Sequence, residues 1–222
     1  MRQKFFILFI FVLSPFSICL GQSEDSLIFE TPFRKGRWIA ELNGVINSGN
    51  VIRNDSIQSD SKFTNNYAFS INLYRLMANR FALGLLIGTR RSSNEEFFIQ
   101  ESELFSIGPS FRYFLANSKE GGAFLQSSVL YTRFYDRNAF IVTQSPVDQV
   151  LKGKGVGTAF GLGYAYVFKD LLILEIAFNY TYSWLSGQNI DQITNVSKDE
   201  NFKRSSFSFS FGLGILIGGN SK

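Results

Sequence analysis

Three charged residues, Glu41, Arg112 and Glu175, stand in alternating stretches on the side where the chain otherwise favours Gly, Ala and Ser. Two carboxylates and a guanidinium on such a side have two uses: a polar passage or ligand site, or an ion-pair network that fills an interior. Familiar hydrolytic chemistry is closed to this chain. Its 222 residues hold no His and a single Cys, Cys19, which excludes a Ser-His-Asp triad, a Cys-His dyad and a histidine zinc site. No local motif supports a Ser and Lys dyad.

Other chemical signals reduce to structure. "GKGVG" at 153–157 lacks the spacing and the following helix of a phosphate loop, so its glycines are read as strand and turn glycines. Asp55, Asp60, Asp136, Asp148, Asp191, Asp199 and Glu200 are oxygen donors, but none has EF-hand spacing, and solvated loop charge accounts for them. Basic residues are scattered and no aromatic-interleaved stripe forms, which argues against nucleic acid. The expectation is a non-enzymatic protein with no catalytic, cofactor-binding or metal residues.

Period-two stretches must position the three charges. "KRSSFSFSFGLGILIG" at 203–218 sets Phe207, Phe209, Phe211, Leu213, Ile215 and Ile217 on one face, against Ser208, Ser210, Gly212 and Gly214 on the other. A wet sheet face tolerates long polar groups, so a small polar face indicates crowding. Seven further stretches follow the same rule, starting near Trp38, Tyr67, Phe81, Phe105, Ala123, Gly157 and Leu172. The fifth, "AFLQSSVLYTRFY", reads in either parity, and Leu125, Val129 and Tyr131 are the favoured outward set. Glu41, Arg112 and Glu175 then point inward, as does Arg90 nearer one mouth.

Composition agrees with an apolar exterior. The chain is 45% hydrophobic and 16% aromatic but only 18% charged, with 25 Phe. Polar connections at 48–62, 91–100, 136–154 and 185–201 read as long loops at one end, whereas 77–79, 116–121 and 169–170 read as short turns at the other. That asymmetry, with an even strand number, predicts an all-β, eight-stranded antiparallel up-and-down transmembrane β-barrel, with long loops outside and short turns periplasmic. Trp38, Phe81, Tyr113, Tyr166 and Phe168 fall near the short-turn ends, and Tyr180, Tyr182 and Trp184 nearer the middle or the long-loop ends, as candidates for two aromatic girdles.

The opening "MRQKFFILFIFVLSPFSICLG" has basic Arg2 and Lys4 before an apolar run broken by Pro15, the pattern of a cleaved secretory signal peptide at 1–21. Its removal takes away the only Cys and brings the balance of 22 basic and 18 acidic residues close to neutral. The remaining division is a periplasmic N-terminal segment at 22–35, the outer-membrane barrel at 36–218, and a C-terminal tail at 219–222.

"FSIGPSFRYFL" at 105–115, "GVGTAFGLGYAYVF" at 155–168 and "FSFSFGLGILIG" at 207–218 resemble the outer-membrane protein beta-barrel domain family, small barrels of OmpA/OmpX-like architecture. The resemblance implies the outer membrane of a diderm bacterium, the lipid bilayer as surroundings, and the barrel-assembly machinery as a partner during biogenesis. Barrels of that group commonly finish on an aromatic residue that the machinery reads; here Phe209 and Phe211 precede "GGNSK". Function at this stage has two readings: surface loops for contact, adhesion or envelope integrity, or a narrow, porin-like channel or transporter for a small or hydrophobic molecule.

Overall fold

A computed structural model describes residues 31–52, 65–94, 99–115, 118–142 and 145–218. The signal segment at 1–21 and the tail at 219–222 lie outside them. Eight strands follow one another: β1 Trp38–Ile52, β2 Asn65–Ala78, β3 Phe81–Asn94, β4 Ile99–Phe114, β5 Gly121–Val142, β6 Ser145–Phe168, β7 Leu172–Asp191 and β8 Ser197–Ile217. Each pairs antiparallel with the next, and β1 closes the ring on β8, from Trp38↔Ile217 to Ile52↔Lys203. Closure leaves no sheet edge, the condition for strands to cross hydrocarbon with every backbone group paired.

Parity follows the alternation read from the sequence. Leu42, Leu85, Leu125, Leu162, Ile176 and Leu213 are exposed on the outer wall, while Ile39, Ala82, Phe124, Ala165, Ile173 and Leu216 are buried within. A one-residue slip in any strand would exchange the two sets, so hydrophobic pattern and register fix each other. The short turns are tight. In the 168–171 turn, Lys169 and Asp170 both take positive φ, 50° and 55°, and Leu171 N–H donates to the Phe168 carbonyl at 3.2 Å. The left-handed pair, with Leu171 after it, makes a three-residue connection between Phe168 and its partner Leu172.

The long connections differ from expectation. Of 136–154, all but 143–144 is strand; of 185–201, only 192–196 lies between β7 and β8; and of 91–100, only 95–98 lies between β3 and β4. Backbone pairing continues through these polar stretches, for example Tyr135↔Lys152 and Leu185↔Phe202. Polarity there marks departure from lipid, not departure from the sheet. Among the described residues the extension is lopsided, since β1–β4 have 14 to 16 residues and β5–β8 have 20 to 24. Among them β5–β8 form a tall wall.

Candidate functional site

The lumen is the chemically distinctive part of the molecule. Glu41 leaves β1 opposite Gly214 of β8, Glu175 leaves β7 opposite Gly212, and Arg112 leaves β4 between Ala82 of β3 and Gln126 of β5. Small cross-strand partners give these long side chains room. A Cβ on Gly214 would stand 2.7 Å from the Glu41 Cγ, so the glycine is the seat of that carboxylate.

Arg112 gathers the cluster. Its Nη1 donates to Glu41 Oε1 and to Glu175 Oε2, each at 2.7 Å, and its Nη2 donates to Gln126 Oε1 at 2.8 Å and Glu175 Oε1 at 3.3 Å. Asn72 Nδ2 reaches Glu41 Oε2 at 3.4 Å. The guanidinium also lies over the Tyr74 and Phe124 rings, 4.5 and 4.1 Å from their centroids, and Tyr74 Oη meets Ser110 Oγ at 2.9 Å. The structure thus brings Glu41, Arg112 and Glu175 into one buried unit. Removing the cation alone would leave two carboxylates facing each other out of water.

Apolar stoppers lie at two levels of the lumen. At the short-turn end, Phe33 is fully buried and stacks on Phe114 with centroids 3.6 Å apart and planes 10° from parallel. The segment carrying it is tied down: Gly36 N–H donates to the Leu76 carbonyl at 2.8 Å, Arg80 N–H to the Phe33 carbonyl at 3.0 Å, and the Arg37 guanidinium pairs with the Asp170 carboxylate. The segment expected in the periplasm is 22–35. Of its described part, Pro32 and Phe33 are buried, because an aromatic ring gains about 1.5–3 kcal/mol on leaving water. Toward the long-strand end, Phe134, Leu151, Leu185 and Phe202 form a second buried cluster with Leu104 against it, Phe134 and Phe202 being 5.6 Å apart.

Neither stopper was foreseen. Phe134 stands in the stretch that reads in either parity, Phe202 falls between the polar connection at 185–201 and the alternating stretch at 203–218, and Phe33 precedes the first strand. The available signal was "TPFRKG", a Pro-Phe pair followed by two cations, whose burial needs Asn79 and Asp170 from distant turns.

Of the aromatic candidates, Trp38, Tyr166, Phe168 and Trp184 are exposed on the outer wall, and Phe81, Tyr113, Tyr180 and Tyr182 are half-buried there. Trp38 lies under the Arg75 guanidinium at 5.5 Å, Tyr182 packs edge-on to Trp184 at 4.7 Å, and Tyr180 tilts against Phe207 at 4.7 Å. Trp38, Phe81, Tyr113, Tyr166 and Phe168 sit near the short turns, apart from Tyr180, Tyr182 and Trp184. Among the described residues, no cluster of three or more His, Cys, Asp or Glu side chains is arranged to hold a metal.

No protein-family profile and no curated protein sequence matches the chain. Solved structures do match its fold. The outer membrane protein OprG from Pseudomonas aeruginosa is 12% identical with a TM-score of 0.53, the match covering 84% of this chain and 98% of that one. A major outer membrane protein from Thermus thermophilus is 10% identical with a TM-score of 0.54, over 82% of this chain and 99% of that one. Ail, the attachment invasion locus protein of Yersinia pestis, is 9% identical with a TM-score of 0.50, over 82% and 99%. The fold is that of small eight-stranded outer-membrane barrels, and the apolar outer wall is the surface such a barrel turns to lipid.

Proposed function

We propose that this outer-membrane barrel is a non-enzymatic surface protein whose tall β5–β8 wall serves contact, adhesion or envelope integrity. The obstructed lumen carries the reading. A solute crossing from end to end would meet Phe134 and Phe202, then the Arg112 cluster, then Phe33 stacked on Phe114. Eight-stranded barrels have interiors just wide enough for side chains, and here those side chains are large. The same geometry speaks against the alternative of a narrow channel, which would need all three layers to move.

The wall offers what a contact surface needs. Strands beyond the apolar band remain paired, so their polar side chains are held on a rigid sheet, and at their tips Asp191 caps the β7–β8 connection by accepting from Ile193 N–H at 2.9 Å and Thr194 N–H at 3.3 Å. The two aromatic sets act as girdles that fix the depth of the barrel in the bilayer. In this reading no cofactor or nucleic acid takes part, and the barrel-assembly machinery is a partner during insertion only.

Planar-bilayer recording of the purified protein tests the reading. The expected result is no steady conductance; reproducible ohmic steps from the parent protein would favour the channel.

A further inference from the structure

The outer wall changes character abruptly along β5–β8. Tyr131, Val156, Trp184 and Phe207 end its apolar part, and the next outward positions on three of the four strands are basic or lead at once to a basic residue: Arg133 and Lys154 face each other across β5 and β6, and Lys203 faces Trp184 across β8 and β7. Lys152 follows one step higher on β6. All four basic side chains are exposed.

These cations differ from others at comparable positions on the exterior. Arg91 of β3 is neutralised by Glu103 at 3.4 Å and Glu101 at 3.8 Å, and Arg137 of β5 by Asp148 at 2.7 Å. Arg133, Lys154 and Lys203 make no ion pair among the described residues, and Lys152 has only the Tyr135 ring, 5.9 Å away. The nearest outward carboxylate above Lys203, that of Asp199, already accepts from Gln188 Nε2 at 3.2 Å.

Between two of the cations runs a groove of about 440 Å³ lined by Lys154, Trp184, Ser186, Asn201 and Lys203, with Gly155 on its floor. A Cβ at Gly155 would come within 1.9 Å of the Trp184 carbonyl oxygen, so β6 and β7 meet there backbone to backbone. The groove combines an indole at the edge of the apolar band, two ammonium groups without an ion pair among the described residues, and neutral hydrogen-bonding side chains. An occupant must be anionic, and it must bring an apolar part downward along Trp184.

We propose that this groove binds the phosphorylated headgroup of a lipid in the outer leaflet, with Lys154 and Lys203 on the phosphate and Trp184 against the sugar or upper acyl chain. Each ammonium near a charged lipid surface contributes about fivefold in affinity, so the pair gives a preference on the order of tenfold or more. The inference rests on membrane embedding and not on whether the lumen conducts, so its failure and that of the contact reading are separable.

The test reconstitutes the full chain in nanodiscs holding equal amounts of a bisphosphorylated glycolipid and its dephosphorylated counterpart, then reads retained lipid by native mass spectrometry. The parent should retain the phosphorylated form at roughly tenfold excess or more, and the K154Q/K203Q double variant should fall to near parity. K169Q, at the opposite end of the barrel, should behave as the parent. W184A should weaken retention of both lipids while keeping the phosphate preference. Equal retention by parent and double variant overturns the proposal. So does displacement of the glycolipid by an equal concentration of inorganic phosphate, which would make the groove a site for the free anion.

Discussion

Phe33 and Phe114 stack nearly parallel across the short-turn end of the barrel, one from the segment ahead of β1 and the other from the last position of β4. The pair joins the amino-terminal segment to the lumen wall. Phe124 then meets Phe114 edge-on at 5.9 Å and lies under the Arg112 guanidinium at 4.1 Å, so the stopper is continuous with the ion cluster.

Truncating Phe33 should therefore be felt as a core mutation although the residue lies outside the strands. Phe33→Ala is expected to lower unfolding stability by about 3 kcal/mol, the usual cost of deleting a buried ring. Lys35→Ala should cost well under about 1 kcal/mol, because its side chain is exposed and only its backbone bonds to Asn79. Urea titration of both variants in lipid vesicles checks this; equal stabilities would mean that the segment is not a stopper in the membrane.

Arg112 is the residue on which the lumen depends. Arg112→Met strands Glu41 and Glu175 together, at a cost on the order of 3–5 kcal/mol. The triple change Glu41→Gln, Arg112→Met, Glu175→Gln removes the charges along with their repulsion and should be markedly more stable than the single variant. Unfolding titrations of the two side by side decide the matter, and a single variant as stable as the parent would show that the cluster is not buried as a unit.

Much of this arrangement is legible in the alternation. Glu41, Arg112 and Glu175 share the inward side because period two leaves each residue only two faces, and their level follows from counting up from the short turns. The height of β5–β8 is not legible, since Lys152, Lys154 and Asn201 resemble loop residues; only cross-strand pairing with Tyr135, Arg133 and Ser186 makes them sheet. Phe33 escapes for another reason. A single aromatic in a stretch without periodicity carries no information about which distant surface will bury it.

At the top of the wall, pH should act locally. Arg137 Nε and Nη2 donate to Asp148 Oδ1 and Oδ2 at 3.0 and 2.7 Å and hold its carboxyl below the ordinary Asp range. A lowered folded value means that the pair stabilises the β5–β6 hairpin above the ordinary range, about 3.9, and that this contribution disappears as pH falls through the lowered value. Carboxyl NMR titration should place the Asp148 midpoint below about 3.9 in the parent and return it there in Arg137→Gln. A parent midpoint at or above that range would mean the pair does not persist in solution.

Orientation in the membrane follows from where the tall wall points. Val196 is exposed between β7 and β8 at the long-strand end, and Glu120 is exposed in the short connection between β4 and β5. Outer-membrane barrels keep short turns on the periplasmic side and present longer extensions to the exterior. A cysteine at position 196 should therefore react with an impermeant maleimide on intact cells, and one at position 120 only after the outer membrane is opened. Both should be introduced with Cys19 replaced, so that no native thiol contributes. Labelling at 120 but not at 196 would invert the barrel, turn the β5–β8 wall toward the periplasm, and remove the contact surface from the cell exterior. Labelling at both in intact cells would show that the barrel does not span the membrane, because two ends of one closed sheet cannot otherwise meet the same solvent.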